Sequence, residues 1–457
     1  MNSDKFWVIL FFGLIVLWLF VLTSILRLSN TNVLVDRDVD LSLPTSLVLY
    51  FNMLFFLTSI FVFVVYLVRF DKIQLYQRQI KNKNLSYSKQ EDLCSIIIPA
   101  RNEESVIRRT VLTCLEQTYR NIEVLVVCHN STDGTFKQAQ VKDQRVRALN
   151  LNTKETGKSI ALNYGVEKSN GKYILIVDAD GLLSEDFIEN ALPLFDEPYV
   201  AVQGRAVPSN RNYNFLTKML SLEDDLWFAP FSTARAVFGQ RCSLAGTGFI
   251  IRKDILIKVG MFSNNLVDDY ELTYRLLRNR YNIMYAPLSI IYDEKPPTLE
   301  IMLRQRARWA KGFISLLNRR VATLDDILGN IFWLTPVAIL LGLIMFLVTA
   351  YASIYNLLFD YIPFTFSYLP LNLWYLITGM TFALYILVII KQHGRNGIKY
   401  AAYLPIYILF SQYTLVVTLR GFFVKSWGST KTVHGFTVKE KENRLEEEIK
   451  NLEMKKR

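Results

Sequence analysis

The run Ile174-Leu175-Ile176-Val177-Asp178-Ala179-Asp180 delivers two acids, one residue apart, to the exit of an apolar segment. Within a strand, alternation would send them to opposite faces; where the chain turns, both can reach one polyanion site. Carboxylate oxygens suit Mg2+ or Mn2+, and such an ion keeps waters and takes diphosphate oxygens as further ligands. An ordinary strand end and turn would look the same, so this pair alone does not fix the chemistry. A second polar cluster follows Ser95-Ile96-Ile97-Ile98-Pro99: Arg101, Asn102 and Glu103 form a loop able to contact a base and a ribose, or Asn102 simply caps a helix. In Leu266-Val267-Asp268-Asp269-Tyr270-Glu271 the acids either sit at a helix start, where the dipole favours them, or supply a general base for a hydroxyl. In Gln305-Arg306-Ala307-Arg308-Trp309, helical spacing puts Gln305, Arg308 and Trp309 on one face. There Arg308 can offset diphosphate charge and Trp309 can stack on a ring, or the whole segment is a basic, aromatic membrane-surface helix.

These residues must be positioned by an alternating set of elements. Ser95–Ala100, Ile122–Cys128, Val146–Leu151, Tyr173–Asp178 and Val200–Val207 read as strands, and stretches near 104–116, 134–142 and 157–168 as helices. That alternation predicts a parallel α/β sheet with ligands at the carboxyl ends of its strands. Thr156-Gly157-Lys158-Ser159 imitates the end of a phosphate-binding loop, but position 152 is Asn where the first glycine belongs, so an ATPase is rejected.

Hydrophobic residues make up 51% of the 457, and the excess lies at the two ends. Residues 6–26 carry no charge and are long enough to span about 30 Å of hydrocarbon; a second apolar run covers Ser46–Val68. Basic residues from Arg69 to Lys83 follow it, which places the N-terminus and the middle domain on the cytosolic side. Further runs lie near 328–355, 373–390 and 400–424. Five simple spans would leave the basic tail outside, against the charge rule, so one C-terminal run is expected to be re-entrant or interfacial. The expected organisation is two N-terminal transmembrane helices (1–69), a cytosolic domain (70–326), a C-terminal transmembrane region (327–424) and a cytosolic tail (425–457). The net charge of +11 sits beside apolar runs rather than in a dense basic block, which favours anionic lipid over nucleic acid. Cys94, Cys114, Cys128 and Cys242 make no C-x-x-C pair, so a zinc site is not expected and free packing thiols are.

The ordered set Pro99, Asp178-Ala179-Asp180, Asp268-Asp269 and Gln305-Arg306-Ala307-Arg308-Trp309 resembles the processive, membrane-bound family-2 glycosyltransferases: cellulose, chitin, hyaluronan and poly-N-acetylglucosamine synthases. The resemblance covers about Ser95 to Phe313. It implies an α/β GT-A fold with flanking transmembrane α-helices, a UDP-sugar donor, a divalent metal and inversion to a β-linkage. It further implies Asp180 as metal ligand, Asp178 and Lys158 near the donor, and Asp269 as catalytic base. Gln305, Arg308 and Trp309 then contact acceptor and diphosphate, and Gly246 and Thr247 in Ala245-Gly246-Thr247-Gly248 border the acceptor end, though a tight turn would use the same residues. Where the family has Asp-Asp-Gly-Ser this chain has Cys128-His129-Asn130-Ser131, so His129 is either a donor contact or a plain loop histidine. Trp427, Thr430 and Lys431 resemble a segment that closes over the nucleotide.

The expected function is an inverting synthase that polymerises sugars at the plasma membrane, with Mg2+ or Mn2+, membrane lipids and a growing glycan or lipid acceptor as partners and a need for an accessory subunit left open. The rival within the fold adds one sugar to a lipid acceptor. A scaffold with a dead domain would show a broken acid set, and the acids after the first loop are all present. A transporter would carry charges deep in its apolar runs.

Overall fold

The computed structural model describes residues 34–35, 42–85, 92–196, 198–239, 242–317, 371–411 and 413–424, with 351, 354, 358–359 and 361–362. They divide into two compact units: Tyr76–Ser221 with Ser243–Met302 in one, and the residues up to Leu75 with Leu222–Cys242 and Leu303–Ser426 in the other.

The first unit holds an eight-stranded sheet. Its strands are β1 (Cys94–Ala100), β2 (Ile122–His129), β3 (Val146–Leu151), β4 (Tyr173–Ile176), β5 (Leu182–Leu183), β6 (Tyr199–Pro208), β7 (Phe249–Arg252) and β8 (Asn282–Asp293), in the order β3-β2-β1-β4-β7-β6-β8-β5. The apolar runs of β1, β2 and β4 are buried almost throughout, as expected of strands covered on both faces. β1 to β4 are mutually parallel where they pair. The sheet is nevertheless mixed, which corrects the parallel expectation. β7 runs antiparallel between β4 and β6, and β5 antiparallel beside β8. β7 is only four residues long, too short to carry an alternating pattern of its own. Helices α2 (Ile107–Leu115), α3 (Thr135–Ala139) and α4 (Lys158–Lys168) fall within the predicted stretches; α8 (Asp268–Arg278) leads into β8.

At the amino end of the sheet, Glu123 joins three strands. It accepts from Ser95 Oγ on β1 (2.6 Å), from the Asn170 N–H (2.5 Å) and from Arg147 on β3 (2.9 Å). Burial alone would raise its carboxyl, but the bonds from Ser95 and Asn170 and the Arg147 charge outweigh it and hold the group below the usual range. The four cysteines are buried and form no disulfide with one another. Burial pushes the Cys128 thiol up to about 11, with the Asp133 charge adding to it.

The second unit is helical. Its core joins Val62 and Val65 of α1 (Ser42–Leu85) to Phe231 and Ala234 of α6 (Phe215–Gly239). Among the described residues no helix is long and apolar enough to cross a membrane. The run at 6–26 and nearly all of 328–355 lie outside the described residues, and side chains are described for only the later part of 46–68 and of 373–390. The run at 400–424 contains α11 (Gly397–Ala401) in part, α12 (Leu404–Phe410) and α13 (Tyr413–Phe423). The longest has 11 residues, about half of what one crossing needs.

Replacing Glu123 with Gln removes charge-assisted bonds, each worth about 1.5–3 kcal/mol, and is expected to lower the thermal midpoint of the purified chain at pH 7. The sign with pH is fixed by the lowered carboxyl. Its stabilisation is present above the unfolded value, about 4.3, and is lost as pH falls through the folded one. Melting curves carried well below about pH 4, through the lowered folded value, should therefore converge for wild type and E123Q; a gap that stays constant would show that the charge is not what holds the strands.

Candidate active site

β4 ends at Ile176, and a turn closes at once, with the Gly181 N–H donating to the Asp178 carbonyl at 2.9 Å. Asp178 and Asp180 thus leave the sheet on a bend rather than on alternating strand positions, which is what lets one end of the sheet use both. The segment 244–248, which leads into β7, arrives beside them because β7 pairs with β4. Gly246 and Gly248 adopt φ of +57° and +63°, left-handed values that tax any other residue. The turn reading of these glycines is therefore correct, and a side chain at Gly246 would begin 3.4 Å from Asp269 Oδ2.

Lys158, the first residue of α4, reaches into this cluster. Its ammonium donates to Asp178 Oδ1 at 2.5 Å and to the Gly246 carbonyl at 3.1 Å, while the Asp178 N–H donates to Thr247 Oγ1 at 3.0 Å. Burial works to lower the Lys158 ammonium, yet the charges of Asp178, Asp268 and Asp269 prevail and keep it above its ordinary value. Asp268 and Asp269 open α8, as the helix-start reading required. A helix amino terminus favours carboxylates by about 0.3–1 kcal/mol. Here that is overruled: burial, then repulsion from Asp268, raises Asp269 to about 7. Asp268 is raised as well, by burial first, and its Oδ2 is buried with no hydrogen-bond partner among the described residues. Asp269 Oδ1 accepts from the Tyr270 N–H at 2.8 Å. A buried carboxyl beside a fixed ammonium, poised near neutrality, is equipped to take a proton from a hydroxyl.

The carboxyl end of β1 builds a separate lobe. Asn102 does not cap a helix, since α2 begins only at Ile107; it sits at φ +59° and accepts from the Thr132 N–H at 2.8 Å. The Glu103 N–H donates to Thr135 Oγ1 at 2.7 Å, Arg101 is exposed, and Pro99 pairs with Val127 inside the sheet. His129 is the last residue of β2 and is buried, with Nε2 3.1 Å from Thr153 Oγ1. Burial lowers its imidazole; the Glu155 and Gly157 carbonyls pull the other way and the Arg101 charge adds to burial. The ring is thus neutral and held by the protein itself.

Gln305, Arg308 and Trp309 lie on α9 (Leu299–Leu317), as the spacing predicted, in the helical unit. Within that unit the intervening Arg306 is structural: it pairs with Glu223 at 2.7 Å and lies over the Trp309 ring at 4.3 Å. Trp427, Thr430 and Lys431 fall outside the described residues. Among the described residues no three His, Cys, Asp or Glu side chains gather to hold a metal ion. Sequence reasoning passes over Gln203 and Thr273, which grip the 244–248 segment. The signals were a lone amide in an apolar strand and a Thr four residues after Asp269.

An open mixed sheet with its polar residues at the carboxyl ends of β1 and β4 is a GT-A-like fold. Residues 92–312 match the family described as "Glycosyltransferase like family 2", and with the relatives that follow this makes the chain a glycosyltransferase. The chain is 28% identical to the probable glycosyltransferase YdaM of Bacillus subtilis, over 72% of its own length and 82% of the relative's. It is 32% identical to the beta-monoglucosyldiacylglycerol synthase of Nostoc over 48% of each chain. With the poly-beta-1,6-N-acetyl-D-glucosamine synthase of Staphylococcus aureus it shares 24%, over 49% of this chain and 55% of that one. The match thus spans about half the length of these two synthases. Among solved structures, the mannosyltransferase PcManGT of Pyrobaculum calidifontis, in complex with GDP-Man and Mn2+, shares the fold at a TM-score of 0.50 and 18% identity, over 80% of this chain and 100% of that one.

A general base must be ionised to act, so acceptor kcat/KM should climb as pH rises through about 7, the value to which Asp269 is raised. Asp269→Asn should remove that rise and cost about 10²–10⁴-fold in transfer while donor affinity stays near wild type. Turnover of the variant at the wild-type rate would refute the assignment.

Proposed function

We propose that this chain is an inverting, membrane-bound synthase that extends a β-linked glycan with sugars from a nucleotide donor, a UDP-sugar, on the cytosolic face of the plasma membrane. The observation that carries the reading is the half-buried cluster of Lys158, Asp178, Gly246 and Asp269, in which one carboxyl is poised near neutrality beside a fixed ammonium. The acceptor oxygen attacks the anomeric carbon from the face opposite the diphosphate. The new C–O bond forms as the old one breaks, Asp269 receives the hydroxyl proton, and the nucleoside diphosphate departs with the bonding electron pair. Lys158 keeps Asp178 in place and supplies positive charge at the carboxyl end of β4. Asp178 and Asp180, two carboxylates of one turn, fit the donor set of a divalent cation that takes its remaining ligands from diphosphate and water. Mg2+ or Mn2+ held there would offset the charge of the leaving group.

The membrane placement is supported by the exposed face of α1. Leu57, Phe61, Val64 and Val68 are 44%, 51%, 44% and 58% exposed at helical spacing, and the basic residues Arg69, Lys72 and Arg78 follow. A stripe of that size facing water is uncommon, whereas acyl chains followed by anionic headgroups match it.

A second reading, transfer of one sugar to a lipid acceptor, is favoured by the segment Cys128-His129-Asn130-Ser131, where the expected acids are missing and His129 is buried. The two readings part on product length. Reconstituted protein given radiolabelled donor should yield material that stays at the top of a gel until a glycosidase is added; a lipid-soluble monosaccharide as sole product would select the second reading. EDTA should stop transfer and Mg2+ or Mn2+ should restore it, and full activity after exhaustive chelation would remove the metal from the scheme.

A further inference from the structure

Gln203 lies in the middle of β6, fully buried, 0% exposed. A primary amide there must find partners, because a polar atom left bare in the interior loses its bonds to water with nothing in exchange. Apart from the carbonyl of its neighbour Gly204, it finds all of them in one segment. Its Oε1 accepts from the Ala245 N–H at 2.8 Å, and its Nε2 donates to the carbonyls of Thr247 at 3.1 Å and Gly248 at 3.2 Å, with the Gly204 carbonyl at 3.0 Å. Thr273 takes the other end. Its Oγ1 donates to the Asp269 carbonyl at 2.9 Å and accepts from the Leu244 N–H at 2.9 Å. One hydroxyl thus joins the first turn of α8, which carries Asp269, to the start of the segment whose Gly246 borders the Asp269 carboxyl. Backbone bonds to the neighbouring strands reach only its last residue, the Gly248 N–H donating to the Ile176 carbonyl and the Gly248 carbonyl accepting from the Gly204 N–H, each at 2.8 Å; the Thr247 N–H turns back to the Ala245 carbonyl at 2.5 Å. Lys158 and the Asp178 N–H hold Gly246 and Thr247 from the β4 side, so Gln203 and Thr273 are what fix Leu244 and Ala245, ahead of two left-handed glycines.

We propose that Gln203, with Thr273, is the positioning residue of the acceptor subsite: its amide fixes residues 245–248 so that an acceptor resting on Gly246 meets the Asp269 carboxyl. This rests on the reading of Asp269 as base and of Gly246 and Thr247 as the acceptor border. Neither Gln203 nor Thr273 touches the reacting atoms; both act through the segment they hold. Misplacing a reacting hydroxyl by about 1 Å can cost on the order of 10²-fold in rate, so a loosened segment should be visible in kcat and in acceptor KM while the donor lobe at Asn102 and His129 is left alone.

The test uses the full-length chain in detergent, with Gln203→Met, which keeps length and removes the amide, and Thr273→Val, which removes the hydroxyl. Hydrogen exchange reads the clamp without any reaction. Amides 244–247 should exchange at least about tenfold faster in each variant, with those of β1 unchanged. Transfer should fall about 10–100-fold with a raised acceptor KM and an unaltered donor Kd, and a larger share of donor should be lost to water. Wild-type exchange at 244–247 would overturn the clamp, and faster exchange with wild-type transfer would overturn the positioning role. If Gln203→Met also loosens β1, the variant is globally unfolded and Thr273→Val decides by the same criteria. Failure of wild-type protein to transfer from any nucleotide sugar would count against the function proposed above and, with it, the acceptor role, while the exchange data would still decide the clamp.

Discussion

Three carboxylates and one ammonium share one site, and the rest of the domain serves that imbalance. Asp268 and Asp269 stand side by side where burial penalises both charged forms, and the Lys158 ammonium does not offset it. Something must hold a proton, and burial and its Asp268 neighbour make Asp269 a group that does so near neutrality. The arrangement is tolerable only while the surrounding backbone is rigid, since relaxation would let water in and the carboxyls would return to ordinary acidity. The chain meets this with polar groups that tie loops to one another: Lys158 to the Gly246 carbonyl, Thr247 to the Asp178 N–H, Gln203 and Thr273 to the 244–248 segment.

The two ends of the sheet divide the labour. At the amino end Glu123 has every charge compensated and its carboxyl is held low. At the carboxyl end the acids are under-compensated and held high. The difference lies in the partners: an arginine, a hydroxyl and a backbone N–H meet Glu123, whereas Asp268 and Asp269 face each other.

What could be read from the sequence were the features set by local pattern. The apolar runs at β1, β2 and β3 gave strands whose bounds agree within a residue, and Val146–Leu151 agrees at both ends. The turn after Ile176, the helix opening at Asp268, the helix carrying Gln305 to Trp309 and the free cysteines were legible for the same reason. What escaped depends on contacts far along the chain. β7 is a strand because β4 and β6 flank it, and four residues carry no period of their own. Asn102 looks like a cap, but its conformation is set by Thr132, 30 residues away. Gln203 has partners more than 40 residues away, and without them it is only an awkward residue in a strand.

The burial of all four thiols carries a practical consequence. Cys128 is pushed up to about 11 and is not a nucleophile at neutral pH. Cys94 and Cys114 are raised further still by the same burial. A maleimide or a spin label offered to the folded chain therefore meets a silent background. The wild-type sequence is already a near-ideal host for single reporter cysteines, and accessibility mapping, distance measurements or cross-linking can begin without first rebuilding the core around missing sulfur atoms.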